Sequence, residues 1–208
     1  MAIPFRTASG QLLMNRFYQV LLIVTSVGFS WLAMMIVHEI GHVLHALLSG
    51  GYVTRVVLSP WEFSRTDVSP NPSPLFVAWG GAAWGVLLPI AIWSFTRIVA
   101  RSYSYLAAFF AGFCCVVNGA YIGAGTIVHA GDAGDMLRYG AAYWQLVLYG
   151  LVATASGFYL WNGLGSDFGL GEGKGHVDKR AALVMVIACI VVLLAEVVWT
   201  LCYCGLLI

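Results

Sequence analysis

One five-residue run, His38-Glu39-Ile40-Gly41-His42, carries the strongest chemical signal in the sequence. Histidines four positions apart share one face of an α-helix. On a helix these two imidazoles can therefore bind one Zn²⁺ ion, one ion per chain. Glu39 between them is placed to act as general base in metal-assisted hydrolysis. An H-E-x-x-H run also arises by chance, and the bland alternative is a polar helix end among lipid headgroups. The apolar surroundings weigh against chance, because an ionisable group at membrane depth costs about 2.5–3.5 kcal/mol on insertion scales.

A catalytic zinc takes a third protein ligand and keeps a fourth position open. Two candidates lie far along the chain: Asp132 and Asp135, either side of Ala133-Gly134. Whichever does not ligate can cap a helix, support a histidine or stay solvated. His45 falls seven residues after His38, on nearly the same helix face, and reads as a supporting or interfacial histidine more readily than as a ligand. His129, three before Asp132, reads as a loop histidine that could assist the site. Asn118 is an amide inside an apolar run, suited to an interhelical hydrogen bond. Glu196 is a lone carboxyl inside the last apolar run, paired with a polar neighbour or protonated.

The elements that must position these residues are set by composition. The 208-residue chain is 61% hydrophobic and 9% charged, whereas soluble domains carry about 25% charged residues. The bilayer is the natural solvent for such a surface. A net charge of +1 with no basic stripe excludes nucleic-acid binding. Cys114, Cys115, Cys189, Cys202 and Cys204 lie in apolar stretches without paired metal spacing and read as buried small residues. The apolar run from residue 17 onward is too long for a cleavable leader and continues into the histidine motif, so it reads as a retained helix.

Five apolar stretches, about 17–48, 75–96, 103–124, 141–161 and 181–206, are each near the roughly 20 residues that a crossing needs. They predict a single domain: an all-α, polytopic membrane bundle of about five transmembrane helices, without internal repeats. Residues 52–74 hold Arg55, Glu62, Arg65, Asp67 and four prolines, which marks an extramembrane or interfacial loop. Its β-branched start, residues 52–58, predicts a short strand or hairpin. Gly81 and Gly85, and Gly119 and Gly123, are small pairs spaced for close helix packing. Residues 125–135 read as a glycine-rich polar turn. A five-span path brings that turn to the same side as His38 and His42. It also gathers Arg6, Arg16, Arg97, Arg101, Lys174, Lys179 and Arg180 on one side, leaving Arg55, Arg65 and Arg138 on the other. The positive-inside rule then predicts a cytoplasmic N-terminus.

The chain resembles the site-2 protease family of intramembrane zinc metalloproteases. HEIGH matches the family's H-E-x-x-H helix. Gly80-Gly81-Ala82-Ala83-Trp84-Gly85 is similar to its glycine-containing segment after the first loop. Asp132-Ala133-Gly134-Asp135 resembles the stretch beginning at its aspartate ligand, although the family's LDG reads Gly131-Asp132-Ala133 here and no asparagine-proline element precedes it closely. The likeness covers roughly residues 20–140. It implies Asp132 as the third ligand, with Asp135 the alternative, and a substrate- or oxyanion-holding role for Asn118. It further implies endoproteolysis of membrane-embedded or membrane-tethered protein substrates, in a bacterial-type cell membrane, with a site nearer the cytoplasm than the charge count places it. The rival reading is a metal-binding transporter or scaffold without proteolysis. A transporter would carry ionisable groups along several spans, whereas here they cluster at one level, and a scaffold has no need of Glu39.

Overall fold

The computed structural model describes residues 8–203; Arg6, Cys204 and the last residues of the final predicted span lie outside them. The chain is an all-α bundle with one small hairpin. Helix α1 is Ala8–Leu48, followed by strands β1 (Val53–Val57) and β2 (Arg65–Val68), then α2 (Pro74–Val99), α3 (Ser104–Val128), α4 (Gly131–Arg138), α5 (Tyr143–Trp161) and α6 (Lys179–Tyr203). Three short 3₁₀ turns fill the loops before α3 and α6.

The boundaries follow local chemistry. Helix α1 ends where Gly50 takes the left-handed conformation, with φ of 75°, the usual C-terminal stop. Pro74 opens α2 at the first helical position, where the missing N–H costs nothing. The strand expected at 52–58 forms and pairs antiparallel with β2, Val56 opposite Thr66. The polar turn expected over 125–135 is largely helical. Helix α3 runs on to Val128, and after a break at His129 and Ala130 the chain re-enters a helix at Gly131.

Among the described residues, four helices are long and apolar enough to cross a membrane: α1, α2, α3 with the 3₁₀ turn before it, and α6. The fourth predicted span forms a helix, α5, but falls outside that set. Tyr143, Trp144, Gln145, Tyr149, Thr154, Ser156 and Tyr159 lower its apolarity. Its 19 residues reach about 28 Å at 1.5 Å per residue, close to the thickness of the hydrocarbon core. It runs antiparallel to α3, Gly157 against Gly112 and Gly150 against Gly119, and so returns the chain to the end where α1 starts.

There the loop before α6 docks on α1: Gln19 Nε2 donates to the carbonyls of Phe168 (3.1 Å) and Gly169 (2.7 Å). Helix α6 then lies parallel to α1, with Lys179 over Tyr18 at its start and Trp199 against β1 near its end. The hairpin and α4 therefore sit at the opposite end from the loops before α3 and α6. Buried packing falls in two main groups. Leu32, Met35, Phe110 and Cys114 join α1 to α3. Ala78, Ala82, Ile122, Ala133, Met136 and Leu146 join α2, α3, α4 and α5. Leu148, Leu151 and Val152 of α5 and Ile187, Ile190 and Leu194 of α6 point outward, an apolar exterior suited to lipid.

Candidate metal centre

His38, Glu39 and His42 lie in the last third of α1, buried to 7, 2 and 6% exposure. That depth is possible because α2 crosses α1 on glycine. A Cβ on Gly41 would collide with the Gly80 carbonyl, and one on Gly80 with the Gly41 carbonyl. A Cβ on Gly81 would fill the space where the two imidazole Nε2 atoms sit. The small pair in the sequence is thus a cradle: Gly81 faces the histidines and Gly85 faces Asn118.

The third group arrives on α4. His38 Nε2 lies 2.7 Å from Asp132 Oδ2, His42 Nε2 lies 3.2 Å from the same oxygen, and the two Nε2 atoms are 3.1 Å apart. The far ring nitrogens are committed elsewhere. His42 Nδ1 donates to the Val77 carbonyl at 2.8 Å, and a carbonyl only accepts, so that nitrogen carries the hydrogen. His38 Nδ1 donates to Asn118 Oδ1 at 2.7 Å. The Asn118 amide is fixed the right way round because its Nδ2 donates to the Cys114 carbonyl (2.9 Å) and toward Gly85 (3.4 Å). In the neutral form, each imidazole therefore turns a lone pair toward a carboxylate oxygen. Three lone pairs at this spacing repel unless a proton or a metal ion lies among them.

The donor set fits a metal. Two imidazole nitrogens and one carboxylate oxygen are a zinc-type set with an open position. Ligand atoms 2.0–2.1 Å from one tetrahedral ion lie about 3.3 Å apart, close to the spacings here. His38, His42 and Asp132 could hold a metal ion together. With a proton on the imidazole Nε2 atoms instead of a metal, burial pushes the Asp132 carboxyl up, but hydrogen bonds from His38 and His42 outweigh it and hold the group well below the usual carboxylate range.

Glu39 is met from the other side. Thr66 on β2 donates its hydroxyl to Glu39 Oε2 at 2.6 Å. The hairpin thereby closes over a cavity of about 550 Å³ that holds His38, Glu39, His42, Asp132, Asn118 and Tyr121. Residues 64–69 of β2 and its flanks line this cavity, together with Asn71, whose buried Oδ1 has no hydrogen-bond partner. The outer side of β1 is taken by α6: Trp199 Nε1 donates to the Val56 carbonyl (2.9 Å) and Thr200 Oγ1 to the Leu58 carbonyl (2.7 Å). The strand that borders the cavity along its length is therefore β2, while β1, the strand read from the sequence, adds Thr54 to the lining and is otherwise packed behind it.

The remaining candidates separate cleanly. Asp135 borders the cavity, yet it is exposed and its carboxylate reaches Arg138 at 4.0 Å, outside the triad. His45 stacks on Phe76 with ring centroids 4.1 Å apart and donates to the Phe76 carbonyl. His129 is exposed and ends α3 in the left-handed conformation. Asn118 stands behind His38 with its amide engaged, which orients the imidazole and leaves no free donor for an oxyanion. Glu196 is buried on α6 with both carboxylate oxygens unpartnered. Sequence reasoning missed Thr66, Asn71 and Tyr121. Tyr121, one helical turn after Asn118, was within reach of an i, i+3 reading. Its hydroxyl accepts the Asp132 backbone N–H at 3.3 Å and so satisfies an orphan donor at the start of α4.

Comparison with known proteins gives no match to a family model, to a curated protein or to a solved structure.

Proposed function

We propose that this chain is a multi-pass integral membrane zinc endopeptidase of the site-2 protease kind, hydrolysing peptide bonds in membrane-embedded or membrane-tethered segments of other proteins. The observation that carries this reading is the convergence of His38, His42 and Asp132 beside Glu39 in one cavity at the end of an apolar helix. A purely structural metal site would be closed and would have no use for a carboxylate beside it.

Bound zinc supplies Lewis acidity toward the scissile carbonyl and the attacking water. The chain's own residues do the rest. His38, His42 and Asp132 provide the ligand atoms, while Asn118 and the Val77 carbonyl keep both imidazoles in the ligating tautomer. Glu39 takes a proton from the attacking water and returns it to the departing amine. A helical substrate hides its amides in its own hydrogen bonds, so the cut segment must first be extended. The border of β2 offers such a segment backbone partners.

Orientation follows the charges. The end holding the hairpin and α4 carries Arg55, Arg65 and Arg138, and the opposite end holds the larger basic group. The reading is of a bacterial-type cell membrane with the site toward its outer side. Single cysteines at Gly10 and Gly173, in a background without native cysteines, should resist an impermeant thiol reagent in intact cells. Labelling of both would reverse the assignment.

The deciding measurement joins zinc content to cleavage. Wild type should hold one zinc per chain by elemental analysis, and His38→Ala should hold none. Glu39→Gln should keep zinc yet lose cleavage of β-casein, an extended polypeptide, in detergent. Equal zinc in wild type and His38→Ala removes the metal site, and cleavage surviving in Glu39→Gln removes the mechanism.

A further inference from the structure

Glu39 is a buried carboxylate on a membrane helix, and such a group needs a partner. Its partner is Thr66, from a strand 27 residues further on. The 2.6 Å separation lies in the range of charge-assisted O–H···O⁻ bonds. The position of Thr66 is in turn imposed from behind. It stands opposite Val56 in the hairpin, and the Val56 carbonyl accepts from Trp199 of α6. A continuous set of contacts thus runs from α6 through β1 and β2 to one carboxylate oxygen. The other oxygen is left for proton transfer. The same strand lines the cavity in which a substrate would lie.

We propose that Thr66 is a positioning residue for Glu39: its hydroxyl braces the carboxylate against β2, so that the seating of the hairpin and the aim of the general base are set together. The role of Glu39 as base rests on the function proposed above, whereas the brace itself is a physical coupling that can be measured without any cleavage. Thr66 acts through Glu39 and needs no contact with the scissile bond. Displacement of the hairpin would release the carboxylate, and a segment laid along β2 would hold the hairpin down.

The test uses the full chain in detergent. Thr66→Val keeps shape and strand preference and removes the hydroxyl, Thr66→Ser keeps the hydroxyl, and Glu39→Ala removes the acceptor. Amide hydrogen exchange over residues 53–68 should quicken roughly tenfold in Thr66→Val, as expected for loss of one hydrogen bond to a charged group. It should quicken as much in Glu39→Ala and no further in the double variant, and it should stay near wild type in Thr66→Ser. Zinc per chain should be the same in all four, which shows that the site is still assembled. On β-casein, Thr66→Val should lower kcat roughly tenfold with KM within about twofold, and Thr66→Ser should restore kcat. Wild-type exchange in Thr66→Val, or additive effects in the double variant, overturns the brace. Wild-type kcat in Thr66→Val while Glu39→Gln is inactive overturns the positioning role and leaves the proposed function standing. Wild-type kcat in Glu39→Gln with coupled exchange overturns the proposed function and the positioning role together and leaves only the brace.

Discussion

The α1–α2 crossing and the α3–α5 crossing are built from the same material. In each, glycines on both helices let two backbones approach until any added Cβ would strike a carbonyl oxygen: Gly41 against Gly80 in one, Gly112 against Gly157 and Gly119 against Gly150 in the other. Apolar helices in lipid gain little from burying one another, so close backbone contact is a main source of their association. The crossings differ in what lies one residue further on. Beyond Gly80 is Gly81, whose missing Cβ is where two imidazoles converge, whereas the α3–α5 seam meets only Thr154, Val116 and the Trp161 ring. A small-residue seam is thus a packing device that becomes a site only where ligating side chains project across it.

That contrast is most sharply tested at Gly81. In Gly81→Ala the new methyl overlaps the positions of both Nε2 atoms and displaces two of the three proposed ligands. Zinc affinity should fall by more than the roughly 10–100-fold typical of losing a supporting contact, and preparations should lose zinc on dialysis. The chain should still fold, since the Gly41–Gly80 contact is untouched. Retention of one zinc per chain would mean that the crossing is not a cradle. The counterpart is Gly150→Ala, which overpacks the other seam. It should cost stability, roughly 1–3 kcal/mol, and lower the thermal midpoint while zinc stays at one per chain. Loss of zinc in Gly150→Ala at temperatures where the chain is folded would erase the distinction.

A step smaller is Asn118→Leu, where the two regions meet, because Asn118 sits on α3 and serves the α1–α2 site. The change removes the acceptor for His38 Nδ1 and leaves that imidazole free to turn. Zinc should bind roughly 10–100-fold more weakly, measured by competition with a chelator. An unchanged affinity would show that packing alone orients His38.

How much of this was legible in the sequence depends on distance along the chain. His38 and His42 are one helical turn apart, so a local pattern revealed their shared face. The apolar stretches gave the helices for the same reason. The stretch at 141–161 was long and uncharged enough to predict a span, and it is helical. Its tyrosines, tryptophans and hydroxyls, which packing against α3 accommodates, keep it apart from the four more apolar helices. The choice between Asp132 and Asp135 could not be made locally, since both lie on an eight-residue helix. What decides it is that the first turn of α4 reaches the histidines while Asp135 stays at the solvent-facing rim. Thr66 was illegible because its contact with Glu39 spans a whole hairpin, and a lone hydroxyl in a polar loop follows no period. The same holds for which strand of the hairpin faces the cavity. Residues 52–58 carry the strand-like composition, but which strand borders the site is set by α6 covering β1 from behind.

The smallest expected effect separates the ligand from the helix that carries it. Tyr121 offers its hydroxyl to the Asp132 N–H, at a helix start where Ala130 provides no side-chain cap. In Tyr121→Phe that donor loses its partner while the ring, edge-on to His38 at 6.0 Å between centroids, keeps its packing. Caps of this kind are worth about 1 kcal/mol. Part of that should appear as a weaker zinc site, by no more than roughly fivefold, and part as faster exchange of the amides of residues 131–135. A larger loss of zinc would mean that the hydroxyl itself bears on the ligand triad. No change in either quantity would mean that the α2–α4 packing around Ala78, Ala133 and Met136 holds Asp132 in place without help. Tyr121 would then belong to the structural side of the comparison, as a residue that lines the cavity without shaping the centre.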